Sequence, residues 1–110
     1  MSDTYAVVLT QDAAQDLQEL YDFIAEHDAP AKADHVLDRI EAALNGLARF
    51  PQRGAHVKEL LAIGMRDYRE TYFKPYRIIY RIADRQAAVY LIVDGRRDMQ
   101  AVLQQRVLRS

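Results

Sequence analysis

The sequence predicts an α+β fold, an antiparallel helical hairpin packed on one face of a small antiparallel β-sheet, in the order β-α-α-β-β-β with a short C-terminal helix. Two observations carry this. Between Thr10 and Arg49, apolar residues recur at helical spacing in two successive segments separated only by Asp28-Ala29-Pro30, a connection short enough to make the helices antiparallel neighbours. Between Arg66 and Val93, three runs rich in β-branched and aromatic residues are joined by Phe73-Lys74-Pro75 and Ala83-Asp84-Arg85-Gln86, turns that imply an antiparallel meander. At 110 residues the chain is one domain, 1–110, long enough to bury a single core.

The elements follow in order. Tyr5 to Leu9 reads as a short strand. Thr10 is suited to cap the helix that follows and Asp12 to sit in its first turn. Leu17, Leu20, Tyr21 and Ile24 mark one face of that helix, which runs to about His27, while Asp16, Glu19, Asp22 and Glu26 give it an acidic exterior. Pro30 fits the first position of the second helix, where a missing N–H costs nothing. Ala33, Val36, Leu37, Ile40, Ala43, Leu44 and Leu47 then repeat at helical spacing until Phe50-Pro51-Gln52-Arg53-Gly54 ends the pattern. Ala55 to Gly64 shows no periodicity. Arg66 to Tyr72 alternates, with Tyr68, Glu70 and Tyr72 on one face and Asp67, Arg69 and Thr71 on the other. Tyr76 to Ile82 and Val89 to Val93 are the remaining strands. Asp98 is placed to cap a C-terminal helix with Met99, Val102, Leu103 and Val107 along one side. The second sheet face is left to that helix, to a partner, or to nothing but arginines.

Composition narrows the function classes. Half of the residues are apolar and 28% are charged, the balance of a soluble globule. No apolar run is long enough for a membrane span, and Met1-Ser2-Asp3-Thr4 lacks a leader pattern, so the expectation is a cytoplasmic protein with no membrane partner. The absence of cysteine excludes disulfides and thiolate chemistry. A net charge of −1 argues against a general nucleic-acid binder. The charge is unevenly spread, however, with ten acids and four bases up to Ala55, a net of −6, and six acids and eleven bases from His56 onward, a net of +5. A local positive field can still steer an anionic partner.

Four stretches in this order and spacing, covering the chain almost end to end, resemble one family. They are Leu47-Ala48-Arg49-Phe50-Pro51-Gln52-Arg53-Gly54 closing the hairpin, Asp67-Tyr68-Arg69-Glu70, Tyr76-Arg77-Ile78-Ile79-Tyr80-Arg81, and Asp94-Gly95-Arg96-Arg97-Asp98 before Leu103 and Leu108. The chain is similar in these to the RelE/ParE superfamily of bacterial toxin–antitoxin toxins. The resemblance implies a toxin held inactive by a cognate antitoxin, without a cofactor, acting either on DNA gyrase (ParE-like) or as a nuclease on ribosome-bound mRNA (RelE-like). A non-toxic binding module with the same fold is the third reading.

Chemistry weighs the branches. Cleaving RNA through its 2′-OH needs a group to take that proton, another to protonate the leaving oxygen, and cations for the developing charge. Arginine suits only the last role. By resemblance, Arg77 and Arg97 match the family's phosphate-holding arginines, while the second strand carries Arg69 and Thr71 where RelE-like nucleases often have lysines. The C-terminal tyrosine of several nucleases has no counterpart. The ParE-like branch, an inhibitor and not a catalyst, is therefore favoured, with Arg69, Arg77, Arg81, Arg96 and Arg97 as target- or anion-binding residues. On the RelE-like reading Arg69, Arg77 and Arg97 would be the catalytic set.

Plainer readings stand beside these. Arg77 and Arg81 alternate with Ile78, Tyr80 and Ile82 and would also suit the solvated face of a strand. Tyr68, Tyr72, Tyr76 and Tyr80 suit cross-strand packing. His27, His35 and His56 are scattered, and no metal site is read from Asp34, His35, Asp38 and Glu41. An antitoxin segment is expected to lie over the helical hairpin and the sheet edge, touching Leu17, Tyr21, Ile24, Tyr68 and Tyr72, with the basic stretch from Arg66 to Arg97 meeting its acids.

Overall fold

The computed structural model describes residues 4–108; Met1 to Asp3, where no leader pattern was read, lie outside them. Strand β1 (Ala6–Leu9) leads into helices α1 (Gln11–His27) and α2 (Pro30–Arg49). A 3₁₀ turn (Pro51–Arg53), strand β2 (Ala55–His56) and helix α3 (Lys58–Leu61) follow, then strands β3 (Tyr68–Phe73), β4 (Tyr76–Ala83) and β5 (Gln86–Asp94). Helix α4 (Met99–Leu103) runs into a π-helical turn (Gln104–Leu108). The fold class is the expected one, with helices packed on a sheet. That sheet has five strands, in the order β1-β5-β4-β3-β2. β2 to β5 are antiparallel neighbours, and β1 joins the far side of β5 in parallel.

Local chemistry accounts for the boundaries. Thr10 accepts a hydrogen bond from the Ala13 N–H at 3.1 Å and caps α1, and Pro30 opens α2. Thr10→Ala is expected to destabilise the chain by about 1 kcal/mol, read as a lower denaturant midpoint at unchanged slope. The β4–β5 turn puts both Asp84 and Arg85 at positive φ (52° and 60°), the type I′ geometry whose twist matches the flanking strands.

Two cores flank the sheet. On one face Ile24, Val36, Ile40, Leu44 and Leu47 of the hairpin meet Ile78, Tyr80, Val89 and Ile92. On the other, Val57 and Leu60 join Met99, Val102 and Leu103 over Tyr68, Ile79, Leu91 and Val93. The second face is thus covered by α3 and α4. A bulge makes this possible: Tyr80 pairs with Val89 and Ile79 with Leu91, leaving Tyr90 as the extra residue. Val89 and Leu91, which simple alternation puts on one face, therefore fill opposite cores.

Asp16 departs from the acidic exterior read for α1. Its carboxylate accepts from the Ile92 N–H at 3.1 Å and from both terminal nitrogens of Arg106 at 2.9 Å. Arg106 also donates to the Tyr90 carbonyl at 3.2 Å. β1 stops opposite Val89, so the pair satisfies backbone groups of β5 beyond the end of that strand and ties α1 to the C-terminal segment. Among the described residues no helix is long and apolar enough to cross a membrane.

Candidate functional site

The arginines singled out in the sequence are not gathered on one surface. Alternation along β3 sends Tyr68 and Glu70 toward α3 and α4 and Arg69 toward the hairpin side, and the antiparallel register sets Arg77 and Arg81 of β4 on the α3 side, opposite Tyr72 and Tyr68. The basic stretch from Arg66 to Arg97 is divided between the two faces and the turn after β5.

Arg77 is the most constrained of them. Its Nε and Nη2 donate to the two carboxylate oxygens of Glu70 at 2.6 and 2.9 Å, and Nη1 and Nη2 donate to those of Glu59 at 2.8 Å each. One guanidinium thus holds two carboxylates at once, with only 14–16% of each side chain exposed. Glu70 is the diagonal cross-strand neighbour of Arg77, since Tyr72 is its direct partner and Glu70 pairs with Ile79. Glu59 arrives from α3. Gly95 completes the fit, because a Cβ there would lie 2.8 and 2.9 Å from Cδ and Cγ of Arg77. The Arg77 guanidinium holds the Glu59 carboxyl below its ordinary range, and Glu59 in turn pushes the arginine further up. One cation and two anions give the cluster a formal charge of −1.

The other arginines have smaller commitments. Arg69 donates to the backbone carbonyls of Gln52 and Gly54 at 3.1 and 2.8 Å, pinning the segment that follows α2. Arg96 forks onto Asp94 at 3.0 and 2.6 Å, keeping that carboxyl below its usual range, and remains 76% exposed. Arg81 and Arg97 are exposed. Asp98 caps α4, accepting from the Ala101 N–H at 3.2 Å.

Tyr68 stands directly across from Arg81; the other groups able to move protons lie apart from these cations or are engaged. The Tyr80 hydroxyl is buried and donates to the Pro51 carbonyl. Burial raises the Tyr68 phenol, whose ring meets Tyr90 edge-on at 5.5 Å. The Tyr21 hydroxyl donates to Asp34 at 2.6 Å, and that bond raises its pKa. His27 stacks on Phe23 at 4.2 Å and His35 meets the edge of Phe73 at 6.2 Å. His56 Nδ1 is buried without a hydrogen-bond partner. Among the described residues no group of three or more His, Cys, Asp or Glu side chains could hold a metal.

Of the residues expected to meet an antitoxin, Leu17 and Tyr21 are half-buried in the hairpin and Tyr72 is 58% exposed. Ile24 and Tyr68 are used in the two cores, so the free chain does not present them. Leu17 and Tyr21 line a cleft of about 280 Å³, and larger ones lie beside α1 and β3. A cleft of about 610 Å³ between α1 and the ends of β4 and β5 is lined by Phe23, Lys32, Tyr76, Ile92, Arg96 and Arg97. Two more, of about 480 Å³ each, flank β3 and share Ala55, Glu70 and Tyr72. Phe50, half-exposed with Arg53 stacked 4.1 Å above its ring, borders one of them. Glu59 and Phe50 were not singled out as site residues. Glu59 lies in the stretch without periodicity, whereas an exposed Phe50 after the last helical position was a visible signal.

Known proteins share this fold and sequence pattern. The chain is similar to Toxin ParE3 of Caulobacter vibrioides, with 28% identity over 97 residues, covering 88% of this chain and 93% of that protein. A chain from the chromosomal ParDE toxin–antitoxin system of P. aeruginosa superposes with a TM-score of 0.70 at 20% identity, over 84% of this chain and 98% of that one. A chain of the RelBE2 toxin–antitoxin complex of Mycobacterium tuberculosis gives 0.57 at 24% identity, over 83% and 98%. A mutant of E. coli toxin RelE in the free state gives 0.64 at 15% identity, over 96% and 97%. These structural likenesses establish the fold. The family described as the ParE toxin of type II toxin–antitoxin systems, parDE, matches residues 7–99, most of the chain. The chain therefore belongs to the ParE toxin family of type II toxin–antitoxin systems.

Proposed function

We propose that this chain, as one toxin domain spanning 1–110, acts by binding and not by cutting: it inhibits DNA gyrase and is silenced by a cognate antitoxin. The observation that carries this reading is the occupancy of Arg77. A ribonuclease needs cations held open for phosphate, with proton-transfer groups beside them. Arg77 is instead filled by Glu59 and Glu70, and a cluster of net negative charge repels a phosphate. Arg69 is spent on two carbonyls, the Tyr80 hydroxyl is buried against the Pro51 carbonyl, and the Tyr68 phenol is pushed up by burial. The exposed guanidinium groups of Arg81, Arg96 and Arg97 suit contacts with a protein surface. Similarity to Toxin ParE3 over nearly the whole chain supports the ParE side. That solved relatives include a toxin–antitoxin complex supports the antitoxin partner.

Purified free of antitoxin, the chain should block supercoiling by gyrase and leave messages intact in a translating extract. Arg97→Ala should weaken the block at least tenfold while the fold is retained. Message cleavage with supercoiling unaffected would overturn the reading in favour of the ribosome-dependent nuclease. Activity in neither assay would leave a binding module.

A further inference from the structure

Among the described residues Phe23 is the most exposed large apolar side chain, at 60%. Its ring stacks on His27, one turn further along α1, with the planes 18° apart, and forms part of the wall of the cleft of about 610 Å³ beside that helix. The floor is apolar, because the buried Ile24, Ile92 and Val93 reach it from α1 and the end of β5. The wall across from α1 is made by Tyr76 at the start of β4 and by Arg96 and Arg97 on the turn after β5. A volume of this size suits a small ligand or a few anchoring side chains.

The turn that presents the two arginines is fixed by the chain itself. The Gly95 N–H donates to the Pro75 carbonyl at 2.8 Å, the Arg97 N–H to the Asp94 carbonyl at 3.2 Å and the Arg96 N–H to the Asp94 carboxylate at 2.9 Å, so little ordering remains to be done on binding. Most charges lining the cleft are matched from within. Lys32 binds Asp28 at 2.7 Å, Arg96 binds Asp94 at 2.6 Å, and Asp16 is taken by Arg106. Glu19 on α1 and Arg97 on the turn remain without an ion pair among the described residues. The cleft is thus apolar at the bottom and balanced in charge, with one unmatched acid and one unmatched base on its rim. A nucleic acid is a poor occupant, because neutralising several phosphates needs an excess of cations. An apolar floor bordered by aromatic rings and arginine is the anatomy of an anchor point for another protein.

Resting on the reading of this chain as a gyrase inhibitor, we propose that the cleft between α1 and the turn after β5 is where it grips the gyrase protein. An apolar or aromatic side chain of a gyrase segment enters against Phe23 and Ile92. An acidic residue beside that anchor pairs with Arg97, and a basic one on its other side meets Glu19. The charges on the rim set the direction in which the segment lies, and the apolar floor supplies the affinity.

Gyrase binding and inhibition of supercoiling are measured for the free chain, with affinity for the antitoxin encoded beside it as the parallel readout. Phe23→Ala should bind gyrase and block supercoiling at least tenfold more weakly. It should melt like the wild type, because the ring is mostly solvated, and keep its affinity for the antitoxin. Phe50→Ala removes a comparably exposed ring outside the cleft and should inhibit like the wild type. Arg97→Glu should inhibit less than Arg97→Ala, since it sets a carboxylate against the acid of the partner. A photoreactive benzoylphenylalanine at position 23 should cross-link to a gyrase subunit. Undiminished gyrase binding and inhibition by Phe23→Ala would take the cleft out of the contact and leave the inhibitor reading standing. A wild-type chain that leaves supercoiling untouched would overturn both. Three other results would overturn the proposal by giving the cleft a different occupant. Loss of antitoxin affinity in Phe23→Ala by the same factor would make it the antitoxin, and a dimer of this chain that Phe23→Ala dissociates would make it a second copy. Retardation of DNA by the free chain that disappears in Arg97→Ala would make it a nucleic acid.

Discussion

Arg77→Ala is expected to lower the stability of the folded chain by about 3–5 kcal/mol, the range found when one partner of a buried ion pair is removed. For a domain of this size the melting temperature should fall by roughly 15 °C or more. The cause is not the lost guanidinium alone. Removing it leaves Glu59 and Glu70 facing one another with little water, in a space shaped by Gly95 around the arginine stem. The pH dependence should change sign with it. In the wild type the Glu59 carboxyl is depressed below its usual 4.5. Its pairing therefore stabilises the fold above that ordinary value and is lost as pH falls through the depressed one. In Arg77→Ala the two carboxylates repel, so one takes up a proton above its ordinary range, and acidification from pH 7 to about 5 should stabilise the variant where it leaves the wild type unaffected. Urea midpoints at pH 7, 5.5 and 4 read this directly. Arg77→Met combined with Glu59→Gln and Glu70→Gln removes all three charges and should recover most of the loss. The result also decides how toxicity assays are read. If Arg77→Ala abolished toxicity at wild-type stability, Arg77 would be a contact residue and the structural role assigned to the cluster would fall.

The pieces of this arrangement were unequally legible. The hairpin was plain because α1 and α2 are long enough for a period of 3.6 to show, and Thr10 and Pro30 mark their starts by chemistry that acts within one turn. β3 to β5 were plain through alternation and short turns. β2 and α3 were not, because two and four residues are too few for any period; they are held by contacts distant in sequence, the core that Val57 and Leu60 fill and the pairing of β2 with β3. Glu59, on α3, was invisible as a partner of Arg77 for the same reason. Glu70 was within reach of inference, since alternation puts it on the face of Tyr68 and Tyr72 and pairing the strands makes it diagonal to Arg77. The parallel direction of β1 is set by β5, from Ala6 opposite Gln86 onward, and no local signal encodes it. Asp16 was read as solvated because it lies off the apolar stripe of α1, and its partner Arg106 is 90 residues further along the chain.

That distant pair should carry the second large effect. Asp16→Ala is expected to cost about 3 kcal/mol, because it strips a charge-assisted acceptor from the Ile92 N–H and leaves the partly buried Arg106 with only the exposed Asp12 carboxylate, 3.9 Å away, as a counter-charge. The side chains of Asp16 and Arg106 are only 15% and 23% exposed, so solvent replaces little of what is lost. Asp16→Asn separates the two contributions: its amide oxygen can still accept from Ile92, while the ion pair is gone, and its stability should fall between those of the wild type and Asp16→Ala. Arg106→Ala should cost less than Asp16→Ala, since the Asp16 carboxylate loses its two arginine donors and the Tyr90 carbonyl one, but Asp16 keeps its bond to Ile92. Amide exchange gives the spatial signature. In Asp16→Ala the Ile92 amide and those of the C-terminal segment should exchange faster together, with α2 and the β3–β4 pair changed only by the global loss of stability. Equal stability of all three variants with the wild type would mean that Met99, Val102 and Leu103 hold the C-terminal segment without help. Otherwise the ion pair couples α1 to the helix that covers the second core, and a partner that engaged Asp16 or Arg106 would loosen that cover.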